Sequence, residues 1–304
     1  MNFEYVGPEA EKRLDWIALT EALIAGHRMP RAEVKDGLLY RGADTLLTRS
    51  AWIDGMGIAV KCGLIFPGNK AKGKPNLHGA VNLFADGDGT LEAILDFALV
   101  TKWKTAADSL LSARLLARPD SRNVLLVGAG VVAASMVDAY RAVFPHAEYA
   151  VWSRSEAGAR AFAERKGVAA VCDLEAAVRA ADIIATATMA TEPLIRGEWL
   201  KPGAHLDLIG AYAPHMREAD SECFRRASVF VDCRATTIEH IGDLTVPIAE
   251  GVITAADVRA DFYDIASGAF GRTHDDEITL AENGGGAHLD LMTARYILDA
   301  VRGG

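Results

Sequence analysis

The sequence predicts an α/β protein in which a doubly wound parallel sheet is joined to a smaller α+β domain built on a mostly antiparallel sheet. Three observations carry this. Between Asn123 and Asp232 short apolar runs alternate with helical patterns, as the βα units of a parallel sheet require. Between Arg31 and Leu95 strand-like runs are separated by Gly- and Asp-containing turns, the pattern of antiparallel pairing. Between these regions Pro119-Asp120-Ser121 breaks a long Ala- and Leu-rich helix, which sets domains of 1–118 and 119–285.

In chain order, Pro8 to Ala25 has helical spacing of Ala, Leu and Ile and predicts one or two helices. Strands are predicted at Leu38–Tyr40, Thr45–Thr48, Gly57–Phe66, Gly79–Phe84 and Thr90–Leu95, with turns at Asp36-Gly37, Asp54-Gly55, Pro67-Gly68 and Asp86 to Gly89. Pro67 to Pro75 reads as a basic, flexible loop, either solvated or able to close over an anion. Leu99 to Arg118 predicts a helix packed through Ala106, Leu110, Ala113 and Ala117. Beyond Ser155, helices at Glu156–Lys166, Leu174–Ala181 and Ser221–Ala227 alternate with strands at Val168–Val171, Ile183–Thr188, His205–Ile209 and Val229–Asp232. Gly242 to Phe270 is less regular, with short helices. A strand at Ile278–Ala281 and a helix from His288 to Val301 close the chain, joined through Gly284-Gly285-Gly286, which reads equally as an anion nest or a flexible joint.

The most informative stretch is Val124 to Ser135. An apolar run, Val124 to Val127, reads as a strand buried on both faces. Gly128, Ala129, Gly130 and Val131 follow, with Ala133 in the third small-residue place of a dinucleotide fingerprint. Gly128 permits the tight turn, Gly130 lets a pyrophosphate approach the backbone, and the helix begun at Val131 offers free N–H groups and a positive dipole end. This is a Rossmann-type signature. The strand Tyr149–Trp152 ends in Ser153, Arg154 and Ser155, where an NAD-binding site usually carries a carboxylate. An arginine between hydroxyls suits a 2′-phosphate, so NADP(H) is expected in preference to NAD(H), which stays open. Thr188 and Met189, after the fourth strand of this fold, are expected near the nicotinamide.

Composition excludes other classes. A formal charge of −9 argues against a nucleic-acid partner. No apolar run is long enough for a membrane span, and the N-terminus lacks a secretory signal. Cys62, Cys172, Cys223 and Cys233 show no metal-ligand spacing and read as four reduced, partly buried thiols of a cytoplasmic protein, so no metal is expected.

With these residues assembled, the chain resembles the ornithine cyclodeaminase and mu-crystallin family over most of its length. The resemblance rests on Val60-Lys61, Thr101 to Ala107, Val127 to Gly130, Ala190 to Pro193, Lys201 to His205, Gly210 to Pro214, Arg217-Glu218 and Ile278 to Leu280. It implies a homodimer paired through the N-terminal sheet, with the C-terminal helix (286–304) completing the first domain. It also implies hydride exchange between nicotinamide and an amino acid or its imine. By the same resemblance, Arg31 and Lys61 hold the substrate carboxylate. A charge inside the apolar run Ile58 to Phe66 favours that role for Lys61 over a plain surface lysine; for Arg31 both readings stay open. Lys104 stands where the family has arginine, keeping the charge without the bidentate fork. His78 is either a proton donor or a structural histidine. Tyr212 replaces the aspartate that serves as base in ornithine cyclodeaminases, and a tyrosine of ordinary pKa is a poor base.

The expected activity is therefore NAD(P)H-dependent reduction of a cyclic ketimine, Δ1-pyrroline-2-carboxylate or Δ1-piperideine-2-carboxylate, to L-proline or L-pipecolate. The alternatives are an ornithine cyclodeaminase or amino-acid dehydrogenase of the same family and, from another class, a non-catalytic NADPH-dependent small-ligand binder.

Overall fold

The computed structural model describes residues 3–303. It divides into two compact units: the chain up to Lys104 with the segment from Gly286 onward, and Thr105–Gly285. The division falls inside the long helix and not at Pro119, because from Thr105 on that helix packs into the second unit.

The first unit begins with β1 (Glu4–Val6), a 3-10 turn at Pro8–Arg13 and α1 (Trp16–His27), whose first turn is capped by the Asp15 carboxylate accepting the Ala18 N–H. Then come β2 (Glu33–Arg41), β3 (Asp44–Ile53), β4 (Gly57–Ile65), β5 (Leu77–Phe84) and β6 (Leu91–Asp96). The six strands lie in the order β1-β6-β5-β4-β3-β2; β1 runs parallel to β6 and every other pair is antiparallel. The turn expected at Asp36-Gly37 is instead strand, with Asp36 opposite Arg49 and Gly37 opposite Thr48. A full ladder with β3 overrides the local turn propensity, and the reversal occurs at Gly42, which has φ +58°. The Pro67 to Pro75 segment is not irregular throughout, since Pro67–Lys72 forms a 3-10 helix. Next comes α2 (Phe97–Leu116), buried on Ala106, Ala107, Leu110, Leu111 and Ala113 alike, so it is enclosed on more than the single face its spacing suggested.

In the second unit β7 (Asn123–Val127), α3 (Val131–Val143), β8 (Glu148–Trp152), α4 (Glu156–Lys166), β9 (Ala169–Ala170), α5 (Leu174–Ala180), β10 (Ile183–Thr186) and β11 (His205–Leu208) follow the expected alternation. Then come α6 (Ser221–Arg226), β12 (Ser228–Val231), α7 (Arg234–Thr237), α8 (Gly242–Ala249), β13 (Val258–Ala260) and β14 (Thr279–Glu282). All eight strands are parallel, in the order β13-β12-β14-β11-β10-β7-β8-β9. From β7 the chain moves outward through β8 and β9, then returns to β10 on the other side. This reversal is where open α/β sheets bind ligands, beyond the carboxyl ends of the strands. The three-residue strands β1 and β13 carry too little pattern to be read from sequence, and β13 forms only by joining the edge of a completed sheet.

Within the glycine run Gly284 to Gly286, the Gly285 N–H donates to Asp232 Oδ2 at 2.5 Å. The chain's own carboxylate therefore takes that donor. Gly286 N-caps α9 (Ala287–Arg302), which packs on β3, β4 and α1. Among the described residues no helix is long and apolar enough to cross a membrane, and no cluster of His, Cys, Asp and Glu is set to hold a metal. The four cysteines are free; Cys223 and Cys233 are buried, whereas Cys172 is exposed.

Candidate active site

Beyond the ends of β7, β8 and β10 lies a cleft of about 260 Å³ lined by Gly128, Ala129, Ser153, Arg154, Thr188 and Met189, with Trp152, Ala187, Ala190 and Leu194 as apolar wall. Gly128 has φ +117°, and a Cβ there would sit 2.5 Å from the Ala187 carbonyl oxygen, so the turn admits only glycine. A Cβ on Gly130 would meet nothing within 4 Å. Gly130 is the N-cap of α3 without a side-chain cap, leaving the first helical N–H groups open beside exposed Val131. An open backbone approach at an uncapped helix start fits a dinucleotide pyrophosphate. At the end of β8, the Ser155 hydroxyl caps α4 by accepting the Gly158 N–H at 3.1 Å, and Ser153 Oγ accepts the Ser155 N–H at 3.3 Å. Arg154 is left exposed at the rim.

The floor beside this cleft is held by a residue the sequence reading left without a role. Glu218, fully buried, accepts four hydrogen bonds at 2.7 Å, from Thr186 Oγ1, the Thr188 N–H, Thr188 Oγ1 and the Gly210 N–H. One carboxylate thus ties the chain after β10 to the chain after β11. Asp243 at the start of α8 accepts the N–H groups of Glu218 and Ala219 at 2.9 Å and holds that clamp in turn. Burial pushes the Asp243 carboxyl up to about 7, and burial likewise raises Glu218 above the usual carboxylate range despite its donors. Glu218 lies in the charged run Arg217 to Glu222, so nothing in the sequence singled it out as the buried member.

The first unit assembles a cluster of cations. Lys61 on β4 stands directly opposite Arg49 on β3, which stands opposite Asp36 on β2, so one row crosses three strands. Arg49 Nε donates to Asp36 Oδ2 at 2.9 Å. Lys61 is 7 % exposed and donates to Asp290 Oδ1 on α9 at 2.8 Å, with its Nζ 4.7 Å from the centre of the Phe97 ring. Burial lowers the Lys61 ammonium from its ordinary value; Asp290 raises it, and Lys104 and Arg49 lower it further. Lys104 is also buried. His288 on α9 is held neutral by burial and, secondarily, by His27, Lys104, Arg49 and Arg31. Like charges placed directly across a ladder destabilise a sheet, and here each is met by an anion of the chain, Arg49 by Asp36 and Lys61 by Asp290. This arrangement can hold a small carboxylate.

The structure brings Lys61, Lys104 and Arg31 into one electrostatic neighbourhood, with Arg31 exposed. His78 is exposed on β5 opposite Leu64, and the period of two along β4 puts that pair on the face away from Lys61. Tyr212 is 66 % exposed in the segment after β11. Arg49 and Asp290 were absent from the sequence reading. The signal for Asp290 was an acid on the apolar face of the last helix, in line with buried Ala294 and Ile297.

A model of the ornithine cyclodeaminase/mu-crystallin family matches residues 51–304. The chain is 51% identical over 302 residues to a Delta(1)-pyrroline-2-carboxylate reductase of Paracoccus denitrificans, covering 97% of this chain and 96% of that one. Among solved structures, the Thermococcus litoralis Delta(1)-pyrroline-2-carboxylate reductase in complex with NADH and L-proline matches with TM-score 0.88 at 26% identity, over 99% of this chain and 98% of that one. An archaeal alanine dehydrogenase dimer with bound NAD matches with TM-score 0.89 at 27% identity, over 99% and 97%.

Proposed function

The chain belongs to the ornithine cyclodeaminase/mu-crystallin family, and from that premise we propose that it reduces a cyclic α-ketimine carboxylate, Δ1-pyrroline-2-carboxylate first, to the L-imino acid. It is an NAD(P)-dependent oxidoreductase acting on C=N bonds. The observation that carries the substrate class is the buried Lys61, set beside Arg49 and Lys104 and held by Asp290.

The first unit supplies the carboxylate site and the second the coenzyme cleft. Lys61 and Lys104, with Arg49 and Arg31, bind the carboxylate and fix which face of the planar C=N is presented. Gly128, Ala129, Gly130 and Val131 hold the pyrophosphate, Ser153, Arg154 and Ser155 the adenosine ribose, and Thr188 and Met189 the nicotinamide end. When bound in that cleft, a reduced nicotinamide would supply the hydride for the imine carbon. The nitrogen, protonated from solvent as the iminium, becomes the secondary amine. Tyr212, in place of a carboxylate, leaves no base at that position to drive deaminating cyclisation of a diamino acid. His78, facing away from Lys61, is not assigned a proton.

Three finer assignments belong to this reading. Arg154, with no carboxylate beside it at the end of β8, supports NADP(H) over NAD(H). The edge strand β2, on which Val34, Leu38, Leu39 and Tyr40 are exposed, supports a homodimer. Four free thiols support a cytoplasmic location.

The test is consumption of NADPH or NADH with Δ1-pyrroline-2-carboxylate, run beside L-ornithine with the oxidised coenzymes. Ketimine turnover with higher kcat/KM for NADPH is expected. Release of ammonia from ornithine without ketimine reduction would overturn the assignment.

A further inference from the structure

We propose that Asp290 is a positioning residue, which aims the Lys61 ammonium at the substrate carboxylate and supplies the counter-charge that lets a cation be stored there. This deepens the function proposed above and rests on it.

Asp290 is 1 % exposed in the first turn of α9, where the helix dipole favours a carboxylate and burial requires that it be paired. Its Oδ1 takes the Lys61 N–H at 2.8 Å, and its Oδ2 accepts no hydrogen bond among the described residues. Its charge is therefore spent on Lys61. An ammonium has three donors. One goes to Asp290 and one side of the group lies over the Phe97 ring, so the remaining N–H is directed by these two contacts. The groups facing Lys61 are Asp290 from α9, Lys104 from α2 and Arg49 from β3; His288, Arg31 and His27 belong to the same neighbourhood. Every one of them except Asp290 is cationic or neutral. Burial, Lys104 and Arg49 all favour a neutral amine at Lys61, and Asp290 opposes them. A neutral Lys61 would lose most of its attraction for a carboxylate.

The sign follows. Without the Asp290 charge, Lys61 loses its proton at lower pH, so carboxylate affinity falls away at lower pH as pH rises. Asp290→Asn keeps the size and one acceptor but removes the charge. L-Proline binding to the coenzyme-loaded enzyme, followed by calorimetry between about pH 6 and pH 10, reads this without requiring turnover. The alkaline limb of affinity is expected to move down by about one pH unit or more, with Kd about fivefold or more weaker at the pH of the wild-type limb. The ketimine KM should rise with it while kcat changes less than about threefold, since the group acts through ground-state binding. A limb parallel to the wild type, with only the melting temperature lowered, would overturn the proposal.

Asp290→Glu separates charge from aim and carries the test if the Asn variant does not fold. It should leave the limb in place but weaken L-proline, because the longer side chain displaces Lys61. Unchanged affinity together with an unchanged limb would overturn the positioning role. The limb is read whether or not ketimine is reduced, so failure of the assigned reaction and failure of the Asp290 role are separate results.

Discussion

Lys61 shows how a single side chain changes meaning with its surroundings. On an exposed strand it would be a solvated charge. Here it lies buried among apolar neighbours, with one anion and an aromatic face to hold it. Truncating one member of a buried charge pair costs about 2–5 kcal/mol, much of it from the partner left behind. Lys61→Met removes the proposed carboxylate ligand and leaves Asp290 without its ion-pair partner. The expected result is a loss of about thirtyfold or more in ketimine kcat/KM, mainly through KM, from about 2 kcal/mol of lost binding. Steady-state kinetics check it, and unchanged kinetics would remove Lys61 from the site. Lys61 was identifiable as a charge inside an apolar run. Its partner was not, because 229 positions separate Lys61 from Asp290.

Among the elements, the segment joining β11 to α6 and the start of α8 is held by buried carboxylates as well as by the packing of Ala211, Met216 and Ile241. Glu218 clamps the chain after β10 and β11, and Asp243 clamps Glu218. The Asp243 carboxyl is raised from 3.8 to about 7, chiefly by burial. A carboxyl raised in the folded state binds its proton more tightly there. Its contribution to stability is complete below the unfolded value and is lost as pH rises through about 7. Glu218 and Asp207 are raised in the same direction by burial. His288, lowered by burial, works oppositely, adding stability as pH rises toward its unfolded value near 6.5. The wild-type trend mixes these signs, so the informative quantity is the difference from Asp243→Asn. The melting temperature of the wild type relative to this variant should fall between about pH 5 and pH 8. A pH-independent difference in calorimetric scans would show that Asp243 does not titrate in that window. The helices and strands themselves were legible where a cap or a breaker marks them, as with α4, begun by Ser155 and ended by Gly167. The turn expected at Asp36-Gly37 failed because propensity is local, whereas the β2–β3 ladder satisfies backbone groups along the whole strand.

For the whole molecule, the decisive surface is the outer edge of the antiparallel sheet. Every residue of β2 is exposed, with Leu39 at 69 % and Tyr40 at 71 %, and Leu38, Trp52 and Leu77 are also open. A long edge strand that exposes apolar side chains is a template for pairing unless it is covered. In the proposed homodimer a second copy covers it. Light scattering should give about twice 32.5 kDa for the wild type, and Leu39→Lys with Tyr40→Lys should weaken association about tenfold or more. A monomeric wild type at micromolar concentration would remove the dimer from the proposal.

The features legible in the chain alone are those whose physics is local. The glycine turn at Gly128 and the strand–helix alternation depend on neighbours a few residues away, so their meaning survives in one dimension. The charges gathered around Lys61 depend on register and burial. Arg49 faces Lys61 only because two strands pair in one register, and Asp290 reaches Lys61 only because the last helix returns to the first sheet. Folding alone decides which cations leave water and which anion goes with them, because the cost of a buried charge is set by everything around it and not by its place in the sequence.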